Sequence, residues 1–257
     1  MKYMGSKNRV AMHLIPIVTK YLDEDRWYVE PFCGGCNMID KIVHKHRFAS
    51  DSNNYLIAMW RFLVYYNFNF PTEISKHTYD YWRTIFNNRG FKGDGTLSEE
   101  AMIGWVGFMG SFNGRFFDGG YSGHNVNGRD YINEQIRNTL AQIGMLKGVV
   151  FETGDYYELK IPDKSVIYCD PPYAGTKQYS TSKDFNHNRF WQWCRERTEE
   201  GHDVLISEYN APSDFQCVWQ RKITNAMNQK NTHLPTEKLF VYKSIASKYI
   251  ENQQTLF

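Results

Sequence analysis

Residues 163–175 read DKSVIYCDPPYAG. The run from Ser165 to Cys169 is short, apolar and β-branched, as a buried strand is. It stops at an acid, two prolines and a tyrosine. Proline fixes φ and donates no backbone hydrogen bond, so the strand cannot continue through Pro171 and Pro172. The carbonyls of Asp170 and Pro171 are left as acceptors in a rigid loop. In open α/β sheets, ligands lie beyond the carboxyl ends of the strands. The flanks of this segment therefore decide the fold.

Upstream, GVVFETGDYYEL reads as a strand running toward Asp155. Downstream, FNHNRFWQWCRERTEEG reads as a helix with Phe190, Trp193 and Cys194 inward, closed by Gly201. DVLISEYNAP is a further strand, and QCVWQRKIT and KLFVYK are spaced to close the sheet as an antiparallel hairpin. Near the start, RWYVEPFCGGC predicts a strand over Trp27–Val29 entering a glycine turn. NMIDKIVHKH predicts a helix with Met38, Ile39, Ile42 and Val43 on one face. RFASDSNN predicts a strand ending at Asp51, and NYLIAMWRFLVYY a helix apolar at Leu56, Ile57, Trp60, Leu63 and Val64. This β-α-β-α order is that of a parallel sheet with crossover helices. Between about Asn67 and Lys147 no segment reads as a parallel strand. Thr96 and Glu99 have capping-box spacing before the apolar run AMIGWVGFMG.

Composition bounds the rest. The chain has 257 residues, 42% hydrophobic and 23% charged, which suits a soluble globular protein with a sizeable core. Aromatic residues are 16%, enough to fill a core or to stack on bases. The net charge of +2 demands no nucleic-acid partner, so any basic surface is local. No apolar run reaches the ~18 residues of a membrane span, no signal peptide is evident, and the cytoplasm is the expected location. Five cysteines at irregular spacing argue against a disulfide framework. Cys33 and Cys36 match C-x-x-C, but a zinc site needs a second pair, so no metal is expected. His44 and His46 are read as solvated surface. There are no internal repeats.

Four predicted strands meet the ligand edge with an acid or a glycine turn: Glu30 and Gly34–Gly35, Asp51, Asp155, and Asp170. Glu30 and Asp51 lie the ~20 residues apart expected when an acid holds ribose hydroxyls. The G-x-G-x-x-G pyrophosphate fingerprint is absent, so a nucleoside without a diphosphate fits better than a dinucleotide. A carboxylate and a carbonyl held together by prolines suit an exocyclic NH2 on an aromatic base. Such an amine is a poor nucleophile, and two acceptors on its hydrogens turn its lone pair toward an electrophile. The gain comes from positioning and preorganised electrostatics. Tyr173 is placed to stack on the base.

With these segments in order, the chain resembles the Dam-like, α-group DNA adenine-N6 methyltransferases over almost its whole length. KYMGSK at residues 2–7, VEPFCGGCNM, SDSNNYLI, FNGRF at 112–116, GDYYEL and DPPY carry the resemblance. It implies a Rossmann-like α/β methyltransferase sheet, residues 1–66 and 148–257, with an inserted, mostly helical target-recognition domain at 67–147. It implies S-adenosyl-L-methionine as cofactor, double-stranded DNA as partner, and a site-specific, adenine-specific DNA methyltransferase. Tyr3 and Lys7 would line the cofactor pocket, Lys7 near the methionine carboxylate. Glu30, Phe32, Gly34 and Gly35 would form the methionine-side loop, Asp51 would hold the ribose, and Asp155 and Tyr156 would meet the cofactor adenine. Asp170, Pro171, Pro172 and Tyr173 would be catalytic, holding an adenine flipped from the duplex, with Asp170 also bordering the cofactor.

Two departures are visible. Cys36 stands where the family usually has Gly, and Arg115 precedes FFDGGY where the family shows an Arg-aromatic-Asn cluster. For DNA contact the expected residues are Asn113, Arg115, Asn125, Asn127 and Arg129, because Arg suits guanine edges and Asn adenine edges. Lys177 and Lys183 are expected at phosphates. Two alternatives stay open: a methyltransferase for an RNA base amine or cytosine N4, and a non-catalytic nucleic-acid-binding protein. The large insertion and the intact DPPY argue against each in turn. Restriction-modification, replication control and phage protection are all compatible, as are a monomer and a weak dimer.

Overall fold

A computed structural model describes residues 1–66, 69–91, 95–124, 127–175, 185–222 and 236–250. Five parallel strands form one side of a seven-stranded sheet: β1 (Tyr28–Glu30), β2 (Arg47–Asp51), β3 (Val149–Thr153), β4 (Val166–Cys169) and β5 (Asp203–Glu208). A hairpin of β6 (Phe215–Lys222) and β7 (Thr236–Tyr242) completes it, with β7 antiparallel to β5. The order is β3-β2-β1-β4-β5-β7-β6. β1 and β4 are central and buried along their whole length. Their tips, Glu30 and Asp170, therefore come side by side at one edge. Because β7 runs the other way, its amino end reaches that same edge, with Glu208 paired to Lys238.

The helices are α1 (Ala11–Val18), α2 (Asn54–Tyr65), α3 (Lys76–Arg89), α4 (Leu97–Gly110), α5 (Tyr131–Leu140), α6 (Ile143–Leu146), α7 (His187–Glu199) and α8 (Ala246–Ile250). No helix among the described residues is long and apolar enough to cross a membrane. The Thr96–Glu99 capping box is formed, each side chain bonding the other residue's backbone N–H. α7 buries Phe190, Trp193 and Cys194 as expected, and Gly201 closes it at φ 95°. Among the described residues of the 67–147 block there is no parallel strand.

One prediction fails. Residues 37–46 do not make an α-helix; only Ile39–Lys41 turns, as a 3-10 helix. Arg47 supplies the reason. Its guanidinium, 8% exposed, donates to the carbonyls of Ile39 and Ile42, which an α-helix would have used internally. It also bonds the carbonyls of Met145 and Lys147, so the segment is tied to the α6–β3 junction instead. Ile39 and Ile42 are still buried, but Val43 faces solvent. His44 and His46 are half-buried rather than solvated. Their rings meet at 5.9 Å, and His44 Nε2 bonds the Arg26 carbonyl.

The helical block shares one continuous apolar cluster with the helices of the sheet. α4 lies directly on α2: a Cβ at Gly104 would sit 2.1 Å from the Tyr55 carbonyl oxygen. Tyr55, Phe86, Phe108, Phe116 and Phe117 stack in this seam, with centroids 4.9–5.8 Å apart for the pairs that touch. Much of the aromatic content is therefore core.

Candidate active site

Five loops meet at the edge defined by the carboxyl ends of β1 to β5. The first follows β1. Gly34 has φ 46°, and a Cβ there would lie 2.7 Å from the Tyr3 ring, so only glycine allows this turn under the ring. The Gly34 amide donates to Asp51 Oδ2 at 3.0 Å, and Trp60 Nε1 donates to the Gly34 carbonyl at 3.2 Å. Asp51 accepts a second amide, from Asn53, at 3.0 Å. Burial pushes its carboxyl up, opposed by those two bonds. Cys36 adopts φ 54°, a left-handed conformation uncommon for a residue that carries a side chain. All five cysteines are free thiols.

The second wall is aromatic. Phe32 packs on Tyr156 at 5.3 Å, with Phe185 and Phe190 behind, and Asp155, two residues past β3, lies close enough for its charge to act on Tyr156. Partial burial raises the Asp155 carboxyl. Glu30 is 3% exposed and accepts from Tyr28 Oη at 2.8 Å. Burial pushes its carboxyl well above the usual carboxylate range, opposed by the Tyr28 hydrogen bond.

The third element is the loop after β4. Asp170 Oδ1 lies 2.8 Å from Lys7 Nζ. Lys7 comes from a 3-10 turn, Lys7–Arg9, whose N-cap Ser6 accepts from the Asn8 amide. The lysine is 6% exposed, reaches Glu237 Oε1 at 3.7 Å, and lies 4.5 Å from the centre of the Tyr173 ring. Tyr173 Oη donates to Glu237 Oε2 at 2.7 Å, and its ring meets Tyr209 edge-on at 4.7 Å. Glu208, at the end of β5, accepts from the Ala174 and Tyr209 amides at 3.0 and 2.7 Å and so pins the loop.

The charge balance here is uneven. Burial pushes Asp170 up to about 6; Lys7 pulls it down, and Glu237 adds to the rise. Burial likewise raises Glu208 to about 6. Burial opposes the Lys7 charge too, yet Asp170 and Glu237 outweigh it and hold the ammonium above its ordinary value. Both partners of the pair thus shift upward: burial dominates at Asp170, whereas two carboxylates outweigh burial at Lys7. The site carries excess negative charge.

Sequence reading missed Glu208, Glu237 and Tyr209. Glu208 ends a parallel strand at the ligand edge, so the rule that found Asp51 and Asp170 also applies to it. Glu237 needed the hairpin strand extended by one residue before KLFVYK. Lys7 stands at Asp170, and among the described residues Tyr3 rests on the glycine loop.

The residues expected to meet DNA are only partly gathered. Phe112–Gly114 is a left-handed turn, with Asn113 at φ 56°, and Phe112 is 45% exposed. A Cβ at Gly114 would sit 2.2 Å from the Lys2 carbonyl oxygen, so this turn rests on the N-terminal segment. The Arg115 Nε is buried without a hydrogen-bond partner among the described residues. Arg129 is exposed but is held by Glu134, at 2.6 and 2.8 Å, over the Tyr131 ring; Lys2 pairs with the same Glu134. Asn127 is exposed. Asn125, Lys177 and Lys183 lie outside the described residues.

A family model described as D12 class N6 adenine-specific DNA methyltransferase matches residues 3–91 and 105–243. The chain belongs to that family. No curated protein matches it. Among solved structures, this D12-class chain is similar to SMU.472, a protein assigned as a methyltransferase and crystallised with SAH. The identity is 12% and the TM-score 0.36, with 92% of this chain covered. The D12-class chain spans 52% of that structure's chain.

The residues gathered at this edge fit S-adenosylmethionine on their own chemistry. They offer a glycine cradle, free lone pairs on the Asp51 carboxylate, an aromatic wall with an acid beside it, and excess negative charge for a sulfonium. Among the described residues no group of three or more metal-ligating side chains gathers.

Proposed function

We propose that this chain transfers the methyl group of S-adenosylmethionine to N6 of an adenine flipped out of duplex DNA. The observation that carries the reading is Asp170-Pro171-Pro172-Tyr173 at the tip of central strand β4, beside the Gly34–Gly35 and Asp51 groove. The cofactor supplies an electrophilic methyl group. Asp51 and Asp155 hold its ribose and adenine, Phe32 and Tyr156 cover it, and Gly34–Gly35 let its amino-acid end approach the backbone.

The chain's own work lies on the amine side. The Asp170 carboxylate and the Pro171 carbonyl accept the two N6 hydrogens and direct the lone pair outward. Tyr173 covers the base. Lys7 sits on Asp170 Oδ1, so the amine meets a carboxylate that is already partly engaged. After transfer the nitrogen carries one hydrogen too many; Asp170, poised at about 6, accepts that proton and returns it to water. Residues 67–147 serve as the target-reading block, with Asn113, Arg115, Asn127 and Arg129 as its candidate DNA contacts. The free thiols suit the reducing cytoplasm.

The test is transfer of labelled methyl from S-adenosylmethionine to unmethylated duplex, with nucleoside analysis, for the native chain and Asp170→Ala. Label in N6-methyladenine is expected, falling on the order of a hundredfold or more in the variant, with cofactor affinity retained. Label in cytosine or RNA, or cofactor-independent DNA binding without transfer, overturns the reading.

A further inference from the structure

Lys7 holds one of the two oxygens of the carboxylate that the target amine would use. A buried ammonium that simply let go of Asp170 would be left uncompensated, which is costly in a dry site. A second acceptor is already in place. Glu237 Oε1 stands 3.7 Å from the same Nζ, while Glu237 Oε2 accepts from the Tyr173 hydroxyl at 2.7 Å. The side chain is 8% exposed and comes from the amino end of β7, the antiparallel strand that meets the ligand edge in reverse. The groups whose charges act with Glu237 are Lys7, Asp170, Tyr168, Tyr173 and Tyr209. Across the hairpin its register partner is Arg221.

We propose that Glu237 is a positioning residue for methyl transfer: it anchors Tyr173 through its hydroxyl and takes over the Lys7 ammonium when the target amine claims Asp170. The inference rests on the function proposed above and names a residue that function did not require. It makes Tyr173, Lys7 and Asp170 one unit with a single hinge of charge. The lysine changes partner by a small shift, stays paired throughout, and frees an acceptor only when a donor arrives to use it.

The consequence separates positioning from ionisation. Removing the Glu237 charge lowers the Asp170 titration, because Glu237 raises it. Asp170 is then more ionised near pH 6, which alone would speed the reaction. The exchange argument gives the opposite outcome: Lys7 has no second carboxylate, stays on Asp170, and the amine must displace it unaided.

The experiment compares native chain, Glu237→Gln and Glu237→Asp. Glu237→Gln keeps size and an acceptor for Tyr173 but loses the charge. Single-turnover methylation of duplex DNA is expected to fall about tenfold, with cofactor affinity within about twofold, and the acidic limb of the pH profile is expected to move to lower pH. Glu237→Asp restores the limb and part of the rate. Carbon-detected NMR of the Asp170 carboxyl, which needs no turnover, is expected to show the same downward movement in Glu237→Gln. An unchanged single-turnover rate, or an unmoved Asp170 titration, overturns the proposal. If the native chain transfers no methyl group, the functional reading is what has failed, and the titration alone decides whether Glu237 shares Lys7 with Asp170.

Discussion

Asp170 titrates at about 6 because burial outweighs the pull of Lys7. The amine needs an ionised acceptor, so the methylation step rises with pH and levels off above the titration. With a value of about 6, roughly a tenth of Asp170 is ionised at pH 5 and roughly nine-tenths at pH 7. The single-turnover rate should therefore differ about tenfold between those conditions. Lys7→Met removes the opposite charge at 2.8 Å. An opposite charge at such range depresses a carboxyl by about one to three units, so its loss moves the limb upward by that amount. A two-unit rise leaves about a tenth of Asp170 ionised at pH 7, and the variant recovers most of its rate by about pH 9. Recovery at high pH distinguishes a charge effect from a damaged fold. Glu208 also titrates at about 6, and Glu208→Gln separates the two groups. The limb persists in that variant if Asp170 sets it. The assay is rapid-quench transfer of labelled methyl at saturating cofactor and DNA, from pH 5 to 9. A rate flat across the range, or a Lys7→Met profile that is lowered without being displaced, refutes the reasoning.

Gly34→Ala puts a Cβ against Tyr3 at a left-handed position, a strain of ~1–2 kcal/mol. Calorimetry should show cofactor affinity weakened about tenfold, and native affinity would remove the cradle from the site. Gly104→Ala drives a methyl into the Tyr55 carbonyl where α4 crosses α2; overpacking of this kind costs ~1–3 kcal/mol or more, read as a lowered denaturant midpoint. Arg129→Ala and Arg115→Ala should weaken binding to specific duplex relative to scrambled duplex across a salt series, and unchanged specificity would strike them from the DNA surface.

The strands were legible because each is a short β-branched or aromatic run that stops at a polar tip, and the tips delivered Asp51, Asp155 and Asp170 to one edge. The 37–46 segment was illegible for a nonlocal reason. Its apolar spacing suits a helix, but Arg47, buried at the start of the next strand, takes the carbonyls the helix would have used. Glu237 escaped because reading acids at strand ends assumes parallel strands, and β7 brings its first residues, not its last, to the site. Aromatic content was ambiguous by nature: Phe116 and Phe117 pack inside, whereas Phe112, a few residues earlier, is exposed.

The N-terminal segment lies between two parts of the site. Gln135 on α5 exchanges hydrogen bonds with the Lys2 backbone at 2.9 and 2.7 Å. Gln142, just past α5, donates to the carbonyls of Gly35 and Cys36 and to Asp40. Asn37 reaches the Met1 carbonyl, and the Gly114 turn rests on Lys2. The glycine loop and the Phe112–Gly114 turn are thus fastened to the same few residues of backbone. Linkage makes any coupling through that backbone symmetrical: a ligand that raises affinity at one end has its own affinity raised from the other by the same factor, in either order of arrival. A duplex seated on the turn would then hold the cofactor more firmly, and the spent cofactor, on leaving, would loosen the grip on DNA.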